Sequence, residues 1–296
     1  MGKTLTADAR TLPAGDPAGP GPMAVSARGT RIGDFGDGFP VALYSPEGAR
    51  GPLPSIVFLP GRVAPEGQYE SYARALASRG FVVAVRGWYS PFVTDKELAK
   101  DAVTMADWLV KEGLADPAHL GVAGHSMGAK DAILAASRDR RFKAVVALDP
   151  DDNGKVSVAR GVIKTLPAAL LLVGAEVSWK ASSVCAPKEH NYQRFYEQAP
   201  PGTVELTLRD ADHVQVMDDP NQLGMGICRC GGADSHLVRT LARGATVSFF
   251  SEHLLGSKPM TVAWGTGAAV RVKERPTMEA VREPVKGERL VTARQN

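Results

Sequence analysis

The chain has 296 residues, 44% of them hydrophobic, 23% charged and 6% aromatic. That is enough apolar material for one large core built mainly from Val, Leu, Ala and Ile. Lys and Arg number 35 against 32 Asp and Glu, a net charge of +3, with no clustered basic stripe, so no nucleic-acid partner is expected. No apolar run approaches the roughly 18 residues that span a bilayer, and three cysteines cannot all pair within one chain, so neither a transmembrane segment nor a disulfide scaffold is expected.

Taken in chain order, residues 1–22 read as a flexible leader or linker, because the Pro- and Gly-rich stretch at 14–22 has little to bury and its prolines forbid regular ladders. No apolar h-region follows the first basic residues. The expectation is a soluble protein, cytoplasmic or exported with its signal removed. Residues 23–257 carry the regular pattern of a single domain. It opens with alternating segments such as 39–44, then shows short apolar runs at 55–59, 81–85, 120–123, 144–148, 168–173 and 204–208. Such runs fit strands buried on both faces of a mostly parallel sheet. Segments 66–79, 95–111, 127–137, 188–198 and 235–255 carry apolar residues at helical spacing. Thr94 or Asp95 can cap the second of these, and Gly80 and Gly113 sit just past helix ends as stop signals. Alternation of the two patterns predicts an α/β fold with helices on both sheet faces. Residues 258–296, with eight Lys or Arg against four Glu, read as a basic C-terminal extension, flexible or loosely strand-forming.

The pentapeptide Gly124-His125-Ser126-Met127-Gly128 follows an apolar strand and opens a helical stretch. A sharp strand-to-helix turn of this kind crowds its neighbours, demands small residues two positions either side, and lifts the serine hydroxyl above the carboxyl end of the sheet. Ser126 is therefore the candidate nucleophile. A serine hydroxyl needs a base to take its proton. Among six histidines, His213 lies just after the last core strand, where the base of such a site falls in chain order. His125 reads as a structural neighbour of the serine. The acid that orients the base could follow either of two strands: Asp149, Asp151 and Asp152 after one, Glu176 after the other. The residues alone do not choose between them. Backbone donors for an oxyanion are expected from the amides of Met127, directly after the serine, and Arg62, in the loop Leu59-Pro60-Gly61-Arg62-Val63. Trp88, Tyr89 and Trp179 sit beyond strand ends on the same side and are candidate walls of an apolar pocket. Cys185, Cys228 and Cys230 lack a Cys-x-x-Cys pair, so one disulfide or buried thiols is the better reading and no metal is expected.

These residues identify the chain as a member of the α/β-hydrolase superfamily, and a longer stretch resembles chlorophyllases. Val145-Val146-Ala147-Leu148-Asp149-Pro150-Asp151-Asp152 is similar to their Ile-Asp-Pro-Val-Asp segment. Cys185-Ala186-Pro187 with His190 and Phe195 resembles their Cys-Ala-Pro segment, and Asp212-His213-Val214-Gln215-Val216-Met217-Asp218-Asp219 their Gly-His-Met-Asp-Met-Leu-Asp-Asp. Cys228-Arg229-Cys230 matches a Cys-x-Cys at the corresponding place. The resemblance implies that the acid lies within residues 149–152, and Asp149, which directly ends its strand, is the choice. It also implies a serine esterase with a Ser-His-Asp triad, an acyl-enzyme, a small-molecule or lipid-like ester as substrate, and no cofactor. Polyester hydrolases, dienelactone hydrolases and acetylhydrolases of platelet-activating factor are similar at greater distance. The chain departs from chlorophyllases at Pro60-Gly61, where they have His-Gly, and at Met127-Gly128-Ala129, where they have Arg-Gly-Gly.

Overall fold

A computed structural model describes residues 16–33, 38–90, 92–181, 185–221, 225–257 and 269–276. Among the described residues nine strands form one sheet: β1 (Val25–Ile32), β2 (Phe39–Pro46), β3 (Leu53–Leu59), β4 (Val82–Arg86), β5 (Ala115–His125), β6 (Phe142–Leu148), β7 (Ala169–Ala175), β8 (Val204–Leu208) and β9 (Val270–Glu274). Five α-helices among the described residues accompany them: α1 (Glu70–Ala77), α2 (Asp95–Lys111), α3 (Met127–Arg138), α4 (Tyr192–Gln198) and α5 (Ser235–Leu255). The spatial order is β1-β2-β4-β3-β5-β6-β7-β8-β9. Strands β3 to β8 run parallel, whereas β1, β2 and β9 are antiparallel to their neighbours.

The alternation of side chains along each parallel strand produces two apolar cores. On one face Val57, Leu59, Val122, Val145 and Leu172 pack under α2 and α3. On the other, Ile56, Phe58, Val83, Val146 and Val173 pack under α1 and α5, where Phe250 is fully buried. Each such side chain contributes roughly 1.5–3 kcal/mol on burial, so strands covered on both faces must read as continuous apolar runs. Helix α2 starts where its cap dictates. The Thr94 hydroxyl accepts from the Glu97 amide and the Glu97 carboxylate accepts from the Thr94 amide, a reciprocal box.

The chain order reverses at β3, which lies between β4 and β5. In open α/β sheets a crevice forms at such a reversal, beyond the carboxyl ends of the strands. The loops after β3 and β5 carry Gly61 and Ser126, so the topology itself places the two loops that matter side by side.

Two limits of the folded unit differ from the sequence expectation. Within the stretch read as a leader, residues 16–22 are docked: the Arg79 guanidinium donates to the carbonyls of Asp16 and Gly19, Ser78 accepts from the Gly21 amide, and Arg243 donates to the Ala18 carbonyl. Prolines prevent a ladder there, but cations on α5 and just beyond α1 satisfy the carbonyls instead. Beyond residue 257, β9 pairs antiparallel with β8 from Val204↔Glu274 to Leu208↔Val270. Its basic side chains meet acids of the core, with Lys273 Nζ 3.1 Å from Glu205 Oε1. Folded chain therefore extends on both sides of the limits at 22 and 257. Residues 1–15, 258–268 and 277–296, also assigned to leader and extension, lie outside the described residues. No helix among the described residues is long and apolar enough to cross a membrane.

Candidate active site

Ser126 stands at the junction of β5 and α3 with φ 57° and ψ −125°. A non-glycine residue in that region is strained by roughly 1–3 kcal/mol and persists only where its surroundings impose it. The Ser126 amide donates to the Leu148 carbonyl at 3.0 Å, and its carbonyl accepts from the Ala129 and Asp151 amides. The flanking glycines are needed for space. A Cβ on Gly124 would lie 2.3 Å from the Gly128 carbonyl oxygen, and one on Gly128 would lie 2.3 Å from that of Pro60. Any side chain at either position would force β3, β5 and α3 apart.

His213 reaches the serine from the loop after β8, its Nε2 2.8 Å from Ser126 Oγ. Its Nδ1 is 2.6 Å from Asp149 Oδ2, so Nδ1–H donates to the carboxylate. Asp149, fully buried at the end of β6 with φ 37°, is itself held by two more donors. The Ala175 amide donates to Oδ1 at 2.9 Å and the Ser178 hydroxyl to Oδ2 at 2.6 Å. The loop bearing His213 is clamped by its neighbours. The Asp212 carboxylate accepts from the Cys230 and Gly231 amides, and the Gln215 amide group bridges the Asp212 amide to the Ala233 carbonyl. Burial alone would lower the proton affinity of the His213 imidazole. The hydrogen bond and charge of Asp149, with the charges of Asp151 and Asp212, outweigh it and hold the pKa above the ordinary imidazole value.

The other candidate acids are occupied elsewhere. Glu176 accepts from the Asp210 amide and lies between Arg209 and Arg271. Asp152 caps the following loop, accepting from the Ser157 hydroxyl and the Val158 and Ala159 amides. Asp151 accepts from the Asn153 amide and lines the cavity above the serine, where burial pushes its pKa up. Sequence reading did not reveal Ser178 as a partner of Asp149, because a hydroxyl in an irregular loop carries no motif.

That cavity has a volume of about 320 Å³. Ser126, Met127, Arg62 and His213 all line it, together with apolar walls from Val63, Val214, Met217 and Ile227. Among the described residues neither the Met127 nor the Arg62 amide has a hydrogen-bond partner within the protein. The helix start at Met127 adds the positive end of the α3 dipole to the same region. His125 is buried beside His213, with ring centroids 4.8 Å apart. Burial and the neighbouring His213 hold its pKa well below the usual imidazole value, so it is neutral.

The three aromatics expected as pocket walls lie elsewhere. Tyr89 is buried, donates to the Pro60 carbonyl at 3.1 Å and packs in the α2–α3 core. Trp88 is exposed and takes no part in lining the cavity. Trp179 is also exposed, with the ammonium groups of Lys188 and Lys180 at 5.2 and 5.8 Å from its ring. Aromatics in strand-end loops can face the core, the solvent or the site, and sequence position does not distinguish the three. The apolar walls come instead from Val63 in the loop after β3 and from the segments after His213.

Cys185 and Cys228 form a disulfide across a sequence separation of 43 residues, and Cys230 is free. A loop of that length corresponds to about 4 kcal/mol of stabilisation in the chain-entropy account. The bond ties the 3₁₀ turn Met225–Cys228, which supplies Ile227 to the cavity, to the segment ahead of α4. Among the described residues no three His, Cys, Asp or Glu converge in a metal-binding arrangement.

A mostly parallel sheet with helices on both faces and a strained serine between β5 and α3 defines an α/β hydrolase. Within that class the chain belongs to the chlorophyllase family, whose sequence model matches residues 36–263. Chlorophyllase type 0 of Chenopodium album is 22% identical over 214 residues, a match that covers 61% of this chain and 60% of that protein.

Proposed function

We propose that the protein is a serine carboxylic-ester hydrolase working through an acyl-enzyme. The observation that carries this reading is the unbroken array from Ser126 Oγ through His213 to Asp149, at 2.8 and 2.6 Å. His213 Nε2 takes the Ser126 proton as Oγ adds to the ester carbonyl carbon. The negative charge that develops on the carbonyl oxygen is received by the Met127 and Arg62 amides. Collapse of the adduct breaks the bond to the alcohol oxygen, which leaves with the proton held by His213. Water then gives a proton to Nε2 while its oxygen attacks the acyl carbon. Ser126 Oγ departs, recovers the proton, and the carboxylic acid is released. Asp149 stabilises the imidazolium in both halves, and the chemistry needs no cofactor.

The apolar walls and limited volume of the cavity favour a small-molecule or lipid-like ester with an apolar acyl or alcohol part. A relative named a chlorophyllase makes chlorophyll one member of the substrate panel, beside acyl p-nitrophenyl esters, lactones and polyester films. A fluorophosphonate probe should label the wild-type protein covalently. Ser126→Ala should lose that label and about 10⁵- to 10⁶-fold in kcat on a p-nitrophenyl ester. Undiminished turnover by Ser126→Ala would remove the basis of the reading.

A further inference from the structure

A second buried hydrogen-bonded chain runs behind the triad and joins three loops. The Gly61 amide lies 3.0 Å from the Tyr69 hydroxyl oxygen, and that oxygen lies 2.8 Å from His125 Nδ1. His125 Nε2 lies 2.9 Å from the backbone carbonyl of His213. Tyr69 is fully buried and His125 nearly so.

The chemistry of the four groups fixes the direction of every bond. The His213 carbonyl can only accept, so His125 Nε2 carries the hydrogen and donates. A neutral imidazole then has a bare Nδ1, which accepts from the Tyr69 hydroxyl. The phenolic oxygen in turn accepts from the Gly61 amide. A second proton on His125 would occupy Nδ1 and leave the buried Tyr69 hydroxyl hydrogen without its acceptor. The depressed pKa of His125 keeps that state unpopulated.

From this chain we infer that Tyr69 and His125 are positioning residues that set the oxyanion loop and the catalytic base against one another. Gly61 immediately precedes Arg62, so anchoring the Gly61 amide fixes the peptide plane from which the Arg62 amide projects. The bond to the His213 carbonyl anchors the backbone of the base through the same ring. A single side chain on the nucleophile turn therefore registers the donor loop after β3 and the base loop after β8, which are distant in sequence. The inference rests on the esterase reading above.

Three variants test it. Tyr69→Phe keeps the ring and removes the link to Gly61. His125→Leu removes both links. His125→Asn places an amide oxygen near the Nδ1 position and restores the Tyr69 arm alone. Tyr69→Phe should lower kcat by about 10- to 100-fold, less than outright loss of an oxyanion donor, with KM within about twofold. Affinity for a trifluoromethyl ketone, which forms a charged adduct on the serine, should weaken by the same factor. Affinity for the product alcohol should not move. His125→Leu should match or exceed that loss, and His125→Asn should recover most of the trifluoromethyl ketone affinity. Should Tyr69→Phe fail to fold, the His125 pair carries the comparison. Wild-type-like kcat and ketone affinity in Tyr69→Phe, or equal losses in His125→Asn and His125→Leu, would overturn the inference while leaving the esterase reading intact. Loss of that reading itself would show separately, as wild-type protein without Ser126-dependent turnover.

Discussion

Asp149 and Asp131 are both shut away from water, one at the end of β6 and the other in the second turn's approach of α3, yet their surroundings treat them differently. Asp149 receives three donors: the Ala175 amide, the Ser178 hydroxyl and His213 Nδ1–H. Asp131 Oδ1 has no partner among the described residues. Burial, reinforced by the Asp95 carboxylate, pushes the Asp131 pKa well above the usual carboxyl range, against the opposing charges of Lys130 and Arg62. The nearby Lys130 offsets this only in part, because its Nζ is held by Asp95 at 2.8 Å and by the Asn153 carbonyl at 2.6 Å. Burial sets the cost of a buried carboxyl, and the donors around it decide how much of that cost is met.

The largest effect that should separate the two acids is on turnover. Asp149→Asn should reduce kcat by about 10³- to 10⁴-fold, as loss of the orienting acid does in serine triads, whereas Glu176→Gln should stay within about twofold. The acid limb of kcat/KM carries the same information. With its folded pKa raised above 6.5, His213 must lose its proton before it can act as base, so activity should rise through a limb above that value. Asp149→Asn removes the main opposing influences to burial and should move the limb downwards. A large loss in Glu176→Gln with a mild one in Asp149→Asn would reverse the comparison.

A smaller change would sharpen it. Ser178→Ala withdraws one of the three donors while the Ala175 amide still holds Oδ1. The expected cost is about 3- to 10-fold in kcat/KM, measured by steady-state kinetics on a p-nitrophenyl ester. No change would mean that the Ala175 amide suffices to orient the acid.

The smallest effect on activity falls on the other acid. Asp131→Asn should leave turnover within about twofold and act on stability instead. A carboxyl with a raised folded pKa adds stability that is complete below the unfolded pKa and is lost as pH rises through the folded value. Thermal unfolding of Asp131→Asn, followed from about pH 4 to about pH 8, should therefore show a gain over wild type that grows with pH. A constant difference across that range would show that Asp131 ionises at no cost.

Much of this architecture could be read before folding was considered. The apolar runs behind β3, β6 and β8 are legible because both faces are buried, and α2 and α5 have the limits 95–111 and 235–255 that their spacing suggests. Helix α4 begins at Tyr192 and not at residue 188, because the Asn191 side chain accepts from the Gln193 amide and stops the helix from starting earlier. Segment 66–79 divides into a 3₁₀ turn, Glu66–Tyr69, and α1, a break that spacing of apolar residues does not register. Strands β1 and β9 are only weakly marked, because they lie at sheet edges and most of their side chains are exposed. At the site, Ser126 is marked by its turn and His213 by its place after β8. The residues alone leave Asp149 and Glu176 open, because both follow strands that end on the same side; the family resemblance points to Asp149, and it is Asp149 that meets His213 while Glu176 meets the Asp210 amide. The cavity walls were not legible at all: Val214, Met217 and Ile227 reach the serine only through the clamped loop and the Cys185–Cys228 bond.

Strand β9 has a consequence of another kind. By pairing with β8 it turns the strand that leads into the His213 loop from a rim into an interior member of the sheet. A chain cut at residue 257 would keep every side chain of the cavity described here, yet leave the outer N–H and C=O groups of β8 as an open template for a neighbouring molecule. In that sense strand β9 covers an edge that β8 would otherwise present, and its alternating cations, Arg271 and Lys273, are the residue types that edges use to discourage a further strand.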